Sequence, residues 1–221
     1  MVTIYKTNTM KDAANYVLNI LKRVDKRNLS VLHTVIVPDR ASLEAERALL
    51  KTLGGSFNVQ VKTFRRFAND ILPKYDYLSK QAGIMALSEI IRDNRDKLTC
   101  YTKGVETAGF VEEMYDTISM MKYCKISPER LNCGDLPRSV QSKARDIALL
   151  YRAYLDFNQG RFIDSADKLD ILKENISDSD SVKNGCFYIY DFDNFSKQES
   201  ELVERLVLTA KDVVVACCAS D

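Results

Sequence analysis

Near both ends of the chain, short apolar runs alternate with amphipathic segments. The apolar runs lie at residues 2–5, 35–37, 59–62, 186–190 and 213–216. After each of the first three runs, apolar residues recur every three or four positions, which is the spacing of a helix that buries one face. Ser196, with Glu199 three residues later, marks the start of another helix as a capping box. Strands that alternate with helices in this way predict an α/β fold with a parallel sheet.

The middle of the chain, residues 76–184, has a different pattern and no convincing strand. Apolar positions at helical spacing mark three helices, around Leu87, Met114 and Ala148. We therefore predict an all-helical insertion subdomain at 76–184. The α/β domain is then discontinuous and is formed by residues 1–75 and 185–221.

Composition and charge describe an ordinary globular chain. The 221 residues are 46% hydrophobic, and 32 basic side chains face 31 acidic ones. A net charge of +1 is not the excess of positive charge that is typical of nucleic-acid-binding proteins, so any such binding must come from a local cluster of basic residues. No apolar stretch approaches the ~20 residues of a membrane span, and Met1 is followed by a strand rather than a signal sequence. We expect a cytoplasmic protein with no membrane contact.

Metal and triad chemistry find little support in the sequence. None of the six cysteines has Cys-x-x-Cys spacing. The single histidine, His33, has no second His and no nearby Cys in the sequence to share a metal or a catalytic triad, and we interpret it as a capping or surface residue. Asp164 and Asp167 could serve a metal, but their spacing also suits the first turn of a helix, and we favour the helix. No metal, no cofactor and no catalytic residue are predicted.

The opening segment has the order of a P-loop NTPase, namely strand, polar loop, amphipathic helix and strand. Its loop, residues 6–12, contains Lys11 but no glycine, and the first glycine of the chain is Gly54. A phosphate-binding loop needs glycines because its N–H groups converge through backbone angles that side chains forbid. Either the chain never had such a loop, or its nucleotide chemistry has been lost.

A series of short segments, in the same order, resembles the N-terminal part of the AddB (RexB-type) subunit of the bacterial AddAB ATP-dependent helicase-nucleases. These segments are residues 35–49, 61–68, 78–83, 109–110, 126–131, 143–151, 164–169 and 190–195, with Gln198 and Glu199. The resemblance covers essentially the whole chain. It implies that the chain is an N-terminal fragment of an AddB-like subunit.

The resemblance also implies a P-loop NTPase-like, RecA-type domain of the superfamily 1 helicases whose motor has decayed. Asp191 matches the magnesium-binding Asp of such motors, but Phe192 follows it where a catalytic Glu would stand. Lys11 is then the remnant of the phosphate-binding lysine. Lys11 and Asp191 therefore mark a degenerate nucleotide site without hydrolysis.

Residues Thr63, Phe64, Arg65 and Arg66 lie where superfamily 1 helicases contact the backbone of single-stranded DNA. Helix-start N–H groups, a Thr hydroxyl and two arginines are suitable phosphate ligands. In the alternative interpretation, Phe64 belongs to the core and the arginines to a solvated face.

The implied role is in a helicase-nuclease that processes DNA double-strand ends for recombinational repair, together with an AddA-like helicase-nuclease subunit. We expect weak binding of single-stranded DNA by the isolated chain. Two other functions stay open, an active P-loop ATPase or helicase with an unconventional site and a structural scaffold without DNA contact.

Overall fold

The computed structural model describes residues 1–24, 28–72, 77–132, 137–159 and 161–218. The strands are β1 (Val2–Thr7), β2 (His33–Ile36), β3 (Val59–Lys62), β4 (Tyr77–Leu78), β5 (Ile163–Asp164), β6 (Cys186–Tyr190) and β7 (Asp212–Cys218). The helices are α1 (Met10–Leu21), α2 (Ser42–Leu53), α3 (Phe64–Ile71), α4 (Lys80–Asn94), α5 (Ala108–Tyr123), α6 (Arg138–Asn158), α7 (Lys168–Asn175), α8 (Asp180–Lys183) and α9 (Lys197–Thr209). Short 3₁₀ turns lie at Asp39–Ala41, Arg95–Lys97, Pro128–Asn132 and Ile176–Asp178.

Five strands form one sheet in the order β1-β7-β6-β2-β3, and all four strand pairs in it are parallel. Each of the five apolar runs of the sequence forms one of these strands, so the predicted parallel α/β sheet is confirmed. The central strand β6 is buried along its whole length. This burial explains its continuous apolar run, because parallel sheets are covered on both faces.

Helices cover both faces of this sheet. On one face, α1 and α2 pack against alternate strand residues such as Val35, Tyr188 and Ala216. On the other, α3, α7 and α9 pack against the residues between them, such as Ile36, Phe187 and Val213. The two cores follow from the two-residue alternation of side chains along each strand.

His33 lies inside this sheet. Only 8% of it is exposed, and its Nδ1 lies 3.0 Å from the hydroxyl oxygen of Tyr188 on the neighbouring strand. Burial is the main reason that its pKa is lowered, and Lys211 adds to the effect. The interpretation of His33 as a capping or surface residue is therefore wrong.

The chain divides into two compact units, Met1–Pro73 with Leu169–Asp221, and Lys74–Lys168. The first predicted junction, at 75/76, lies outside the described residues. The second lies at 168/169 and not at 184/185. The reason is burial, since Leu169, Leu172, Ile176 and Val182 pack in the core beneath the five-stranded sheet.

The second unit is mainly helical, with α4, α5 and α6 around a core that includes Leu87, Ile118 and Tyr154. It also contains a two-stranded sheet in which β4 pairs with β5 in parallel. The prediction of an all-helical insertion is therefore wrong in this respect. Strands of two residues are too short to show an alternating pattern, and their partners are far apart in sequence.

Candidate functional site

The residues predicted to form a site lie along the carboxyl edge of the five-stranded sheet. Lys11 lies in the first turn of α1 after β1, Thr63 lies between β3 and α3, and Asp191 directly follows β6. Parallel strands end at the same edge, so residues that directly follow them in sequence lie along this edge. Ligands of open α/β sheets bind at this edge.

The turn between β1 and α1 is very short. Only Asn8 and Thr9 separate the strand from the helix. Thr9 is the N-cap, and its Oγ1 accepts the N–H of Asp12 at 3.1 Å. The same hydroxyl donates to the Asp12 carboxylate at 2.7 Å. The side chain of Thr9 therefore satisfies an N–H group at the start of α1, and the carboxylate of Asp12 places a negative charge in the first turn.

Beside this turn is an open cavity of about 490 Å³. It is lined by Met10, Lys11, Ala14, Asn15, Leu18, Ala41, Glu44, Ala45, Ala48, Tyr190 and Asp191. The two residues predicted for a degenerate nucleotide site, Lys11 and Asp191, thus line one cavity. Besides these two, its charged lining includes Glu44, which adds a second acidic group and disfavours an anionic ligand.

Asp191 is held by Arg40. Nη2 of Arg40 donates to the backbone oxygen of Asp191 at 2.8 Å and to Oδ2 of Asp193 at 3.0 Å, and Nη1 lies 3.4 Å from Oδ2 of Asp191. Asp191 has a φ of 67°, a left-handed conformation that is uncommon outside glycine. Burial raises the pKa of Asp191, and the charge of Arg40 opposes this rise.

Phe192, which follows Asp191, packs in an aromatic cluster. Its ring centroid lies 5.4 Å from that of Phe64 and 4.8 Å from that of Phe195. Phe64 itself is 4% exposed. For Phe64 the core interpretation therefore applies, and its ring supports the turn rather than lying open for a ligand.

Thr63 and the start of α3 offer hydrogen-bond donors at the same edge. Thr63 is the N-cap of α3, and its Oγ1 accepts the N–H of Arg66 at 3.3 Å. The N–H groups of Phe64 and Arg65, at the first two helical positions, have no acceptor within the helix. Such groups bind anions, because the helix dipole also favours negative charge there.

The two arginines of this turn differ. Nη1 of Arg66 lies 3.0 Å from Oε1 of Glu46 and 3.3 Å from Oγ of Ser42. Arg65 is exposed, and its guanidinium has no ionic or hydrogen-bond partner among the described residues. Arg65 is therefore available to a phosphate, whereas Arg66 must first give up an ion pair.

The sequence analysis did not identify Arg40 as a residue of the site. Its position could have indicated it, because Arg40 follows an apolar strand by a few residues, and charged residues after parallel strands lie at the carboxyl edge. Its partner Asp191 is 151 positions away. No local pattern could have paired them.

Asp164 and Asp167 form neither a metal site nor the first turn of a helix. Nζ of Lys122 lies 2.7 Å from Oδ2 of Asp164 and 2.6 Å from Oδ1 of Asp167, and Lys122 and Asp164 are both buried. Helix α7 begins only at Lys168. The interpretation of Asp164 and Asp167 as the first turn of a helix is therefore wrong. Both carboxylates instead form ion pairs with Lys122, which is more than 40 positions away in sequence.

The described part of the chain contains no cluster of metal-ligating side chains. No group of three or more His, Cys, Asp or Glu residues converges there in a way that could hold a metal ion. Among the same residues, no helix is long and apolar enough to cross a membrane.

Comparison with known proteins identifies the family. Residues 11–221 match the family described as "ADDB, N-terminal". A Clostridium kluyveri protein, named as the B subunit of an ATP-dependent helicase/deoxyribonuclease, is 31% identical over 219 residues, covering 93% of this chain and 19% of its own. A Listeria innocua protein of the same name is 32% identical over 199 residues, covering 86% of this chain and 17% of its own.

The chain thus spans less than a fifth of the length of these curated relatives. The match nevertheless runs through both compact units and through every element that forms the carboxyl edge after Lys11. The chain belongs to the ADDB N-terminal family.

Proposed function

We propose that this chain is a helicase-derived module that contacts DNA and a partner subunit without hydrolysing ATP. Its fold is that of a P-loop NTPase of the RecA type with a lost phosphate loop. The observation that carries the proposal is the two-residue turn between β1 and α1. A Gly-x-x-x-x-Gly loop needs about six residues to surround the phosphates.

Charge at the helix start supports the same proposal. The carboxylate of Asp12 accepts a hydrogen bond from Thr9 in the first turn of α1, where a nucleotide phosphate would bind. A phosphate there would meet a like charge. Lys11, in the first turn of α1, is the one element of a phosphate loop that residues 6–12 retain in sequence.

The metal half of a nucleotide site is also altered. Arg40 places a guanidinium against Asp191, so the positive charge that Mg²⁺ would bring is already supplied by the protein. Phe192 packs among aromatic rings where a water-positioning carboxylate would stand.

Contact with DNA is proposed for the turn at Thr63. Exposed Arg65 and the helix-start N–H groups provide a positive charge and backbone donors for one phosphate. Because the chain has a net charge of only +1, its own binding should be weak and salt-sensitive.

The relatives' names say that they are one subunit of a helicase and deoxyribonuclease. We propose that this chain belongs to such a complex in the bacterial cytoplasm, where an AddA-like subunit supplies motor activity. The complex would process DNA double-strand ends for recombinational repair. In it, this module would guide single-stranded DNA and pack against the partner.

Calorimetric titration with Mg·ATP tests the central statement. We expect no saturable binding in the micromolar range and no phosphate release, with or without single-stranded DNA. Stoichiometric tight binding would overturn the proposal. In that case Lys11→Ala should abolish the binding, since Lys11 lines the cavity at the edge.

One observation favours the active ATPase as a second candidate, because Lys11 and Asp191 share a cavity of about 490 Å³. The scaffold alternative makes a different statement, which is that DNA is not bound at all. Fluorescence anisotropy with a labelled single-stranded oligonucleotide separates the scaffold from the proposed module.

A further inference from the structure

A second open cavity lies within the unit Lys74–Lys168. Its volume is about 420 Å³. The residues that line it come from α5, from the last turn of α6 and from the segment after α6, and they include Lys122, Leu155, Asp156, Asn158, Phe162 and Asp167. We call it the α6-end cavity. None of these residues belongs to the proposed nucleotide or DNA site.

Negative charge is in excess at the α6-end cavity. The ammonium of Lys122 lies 2.7 Å from Asp164 and 2.6 Å from Asp167, so one positive charge serves two carboxylates. Burial and the charge of Asp164 raise the pKa of Asp167, and Lys122 opposes the rise. Asp156 adds a third carboxylate, which is exposed and has no ionic or hydrogen-bond partner among the described residues. A further cation in the cavity would relieve this repulsion.

Asn158 contributes an unpaired polar group to the same cavity. It is only 5% exposed, and neither Oδ1 nor Nδ2 of its side chain has a hydrogen-bond partner among the described residues. Its neighbour Tyr154 does not supply one, since the buried hydroxyl of Tyr154 is also without a hydrogen bond there. Buried amides are nearly always hydrogen-bonded, so this one requires an explanation. A donor group bound in the cavity would satisfy Oδ1.

The walls of the cavity favour an organic cation over a metal ion. No three His, Cys, Asp or Glu residues converge in the described part of the chain in a way that could hold a metal. Leu155 and Phe162 instead form apolar walls, and Phe162 is 41% exposed, with its ring stacked on that of Phe157 at a centroid distance of 6.0 Å. A guanidinium fits such a site, because it is planar, carries a fork of N–H donors that matches a carboxylate, and stacks on aromatic rings.

We propose that the α6-end cavity binds the guanidinium of an arginine side chain presented by a partner protein. The carboxylates of Asp156 and Asp167 bind its charge, Oδ1 of Asn158 accepts one N–H, and the ring of Phe162 packs against its plane. Charge complementarity identifies the ligand as a cation. The cavity is open to solvent, so a side chain can enter it from a neighbouring protein surface. The inference goes beyond the proposed function, since it involves neither DNA nor nucleotide.

An NMR titration of the 221-residue chain with N-acetyl-L-arginine amide tests the proposal. This probe carries the side chain of a peptide-borne arginine without the charges of the free amino acid. We expect saturable shifts of the side-chain amide of Asn158 and of the backbone amide of Phe162. N-acetyl-L-citrulline amide is the matched control probe, because it has nearly the same shape and no charge, and it should bind at least about 10-fold more weakly.

Two variants of the cavity and one control sharpen the test. Asp156→Asn should weaken binding of the arginine probe by about 5-fold or more without affecting the fold, because Asp156 is exposed. Asn158→Leu should weaken binding by about 10-fold and leave the chain folded, since it removes a buried amide that has no partner among the described residues. Asp93→Asn is the matched control, because Asp93 is an exposed carboxylate on α4 outside the cavity, and it should leave the affinity unchanged.

Equal binding of the arginine and citrulline probes, or an unchanged affinity for the arginine probe in Asp156→Asn, would overturn the proposal. The Asp156 variant decides even where Asn158→Leu does not fold. Free L-arginine that binds at least about 10-fold more tightly than the blocked probe would assign the cavity to the free amino acid and would also overturn it. None of these results depends on nucleotide or DNA, so failure of this inference is distinguishable from failure of the proposed function.

Discussion

The guanidinium of Arg40 donates a hydrogen bond to the backbone oxygen of Asp191, with 2.8 Å between Nη2 and O. This contact joins the turn after β2 to the turn after β6. It also holds a non-glycine residue at a φ of 67°. Left-handed backbone of this kind persists where its surroundings fix it, and such positions cluster at functional sites.

Replacing Arg40 tests this relationship. Arg40→Ala removes a charged hydrogen bond and leaves the partly buried Asp191 carboxylate without its partner, so we expect a loss of about 1–2 kcal/mol in the free energy of unfolding at neutral pH. Burial raises the pKa of Asp191, because the ionised carboxylate is less favourable in the folded chain than in the unfolded one. The loss should therefore shrink as the pH falls through this raised pKa. Urea unfolding at several pH values measures it.

A second change provides the control. In the Arg40→Ala background, Asp191→Asn removes the uncompensated charge and keeps a residue that tolerates left-handed backbone. It should recover part of the lost stability at neutral pH. No recovery would mean that Arg40 acts mainly through the Asp191 carbonyl and Asp193.

The DNA prediction separates the two neighbouring arginines. Arg65→Ala should weaken binding of single-stranded DNA and lower the salt slope by about one unit, because one free phosphate ligand is lost. Arg66→Ala should have a smaller effect, since Arg66 is paired with Glu46. Conversely, Glu46→Gln should tighten binding by releasing Arg66. Anisotropy titrations against salt, in the proposed complex with the partner subunit, where we expect tighter binding, measure all three.

Arg152→Ala is the matched control for these variants, because Arg152 is an exposed arginine in an ion pair with Glu129 in the other unit. An unchanged salt slope and an unchanged affinity in Arg65→Ala would mean that Arg65 is a solvated surface residue that does not contact DNA. That result would favour the scaffold function.

Asp146 predicts an acid-sensitive contact in the second unit. It is 2% exposed, and its carboxylate accepts the backbone N–H groups of Thr99, Cys100 and Tyr101 at 2.7–3.1 Å. Burial alone would raise the pKa of Asp146, but these hydrogen bonds outweigh it and lower the pKa below its ordinary 3.8. A lowered folded-state pKa stabilises the fold above the unfolded value, and this stability is lost as the pH falls through the folded one.

Asp146→Asn should therefore cost about 2–3 kcal/mol at neutral pH, because it removes hydrogen bonds to a charged group, and the cost should be smaller at pH 3. Asp156→Asn, at an exposed position of the same helix, should stay within about 0.5 kcal/mol of the parent at either pH. Chemical denaturation at both pH values measures the free energy of unfolding of the two variants. A pH-independent loss in Asp146→Asn would contradict the assignment to the ionised carboxylate.

Two glycines of the second unit predict opposite outcomes for the same substitution. A Cβ on Gly83 of α4 would lie 2.5 Å from Cε2 of Tyr115 and 3.0 Å from the hydroxyl of Tyr154. Gly83→Ala should therefore destabilise by about 1–3 kcal/mol, even though alanine favours helix. A Cβ on Gly109 of α5 would meet nothing within 4 Å, so Gly109→Ala should be neutral or stabilise by up to about 1 kcal/mol. Equal effects of the two substitutions on thermal unfolding would contradict the close packing of α4.

The sequence by itself determined the parallel sheet and its helices. The apolar run at 186–190 forms the predicted strand, and Ser196 with Glu199 forms the predicted capping box. The predicted position of Thr63 at the start of α3 is also confirmed. These features depend on neighbours within a few residues, where periodicity and capping chemistry act, so the sequence records them directly.

Only the tertiary structure decided which charges meet. Arg40 reaches Asp191, Arg66 is paired with Glu46 while Arg65 has no such partner among the described residues, and Lys122 takes the carboxylates of Asp164 and Asp167. The short pairing of β4 with β5 and the burial of His33 beside Tyr188 are also contacts between residues far apart in sequence. Each joins residues from different elements of the chain. Such contacts are set by how whole elements pack, so no local pattern of the sequence contains them.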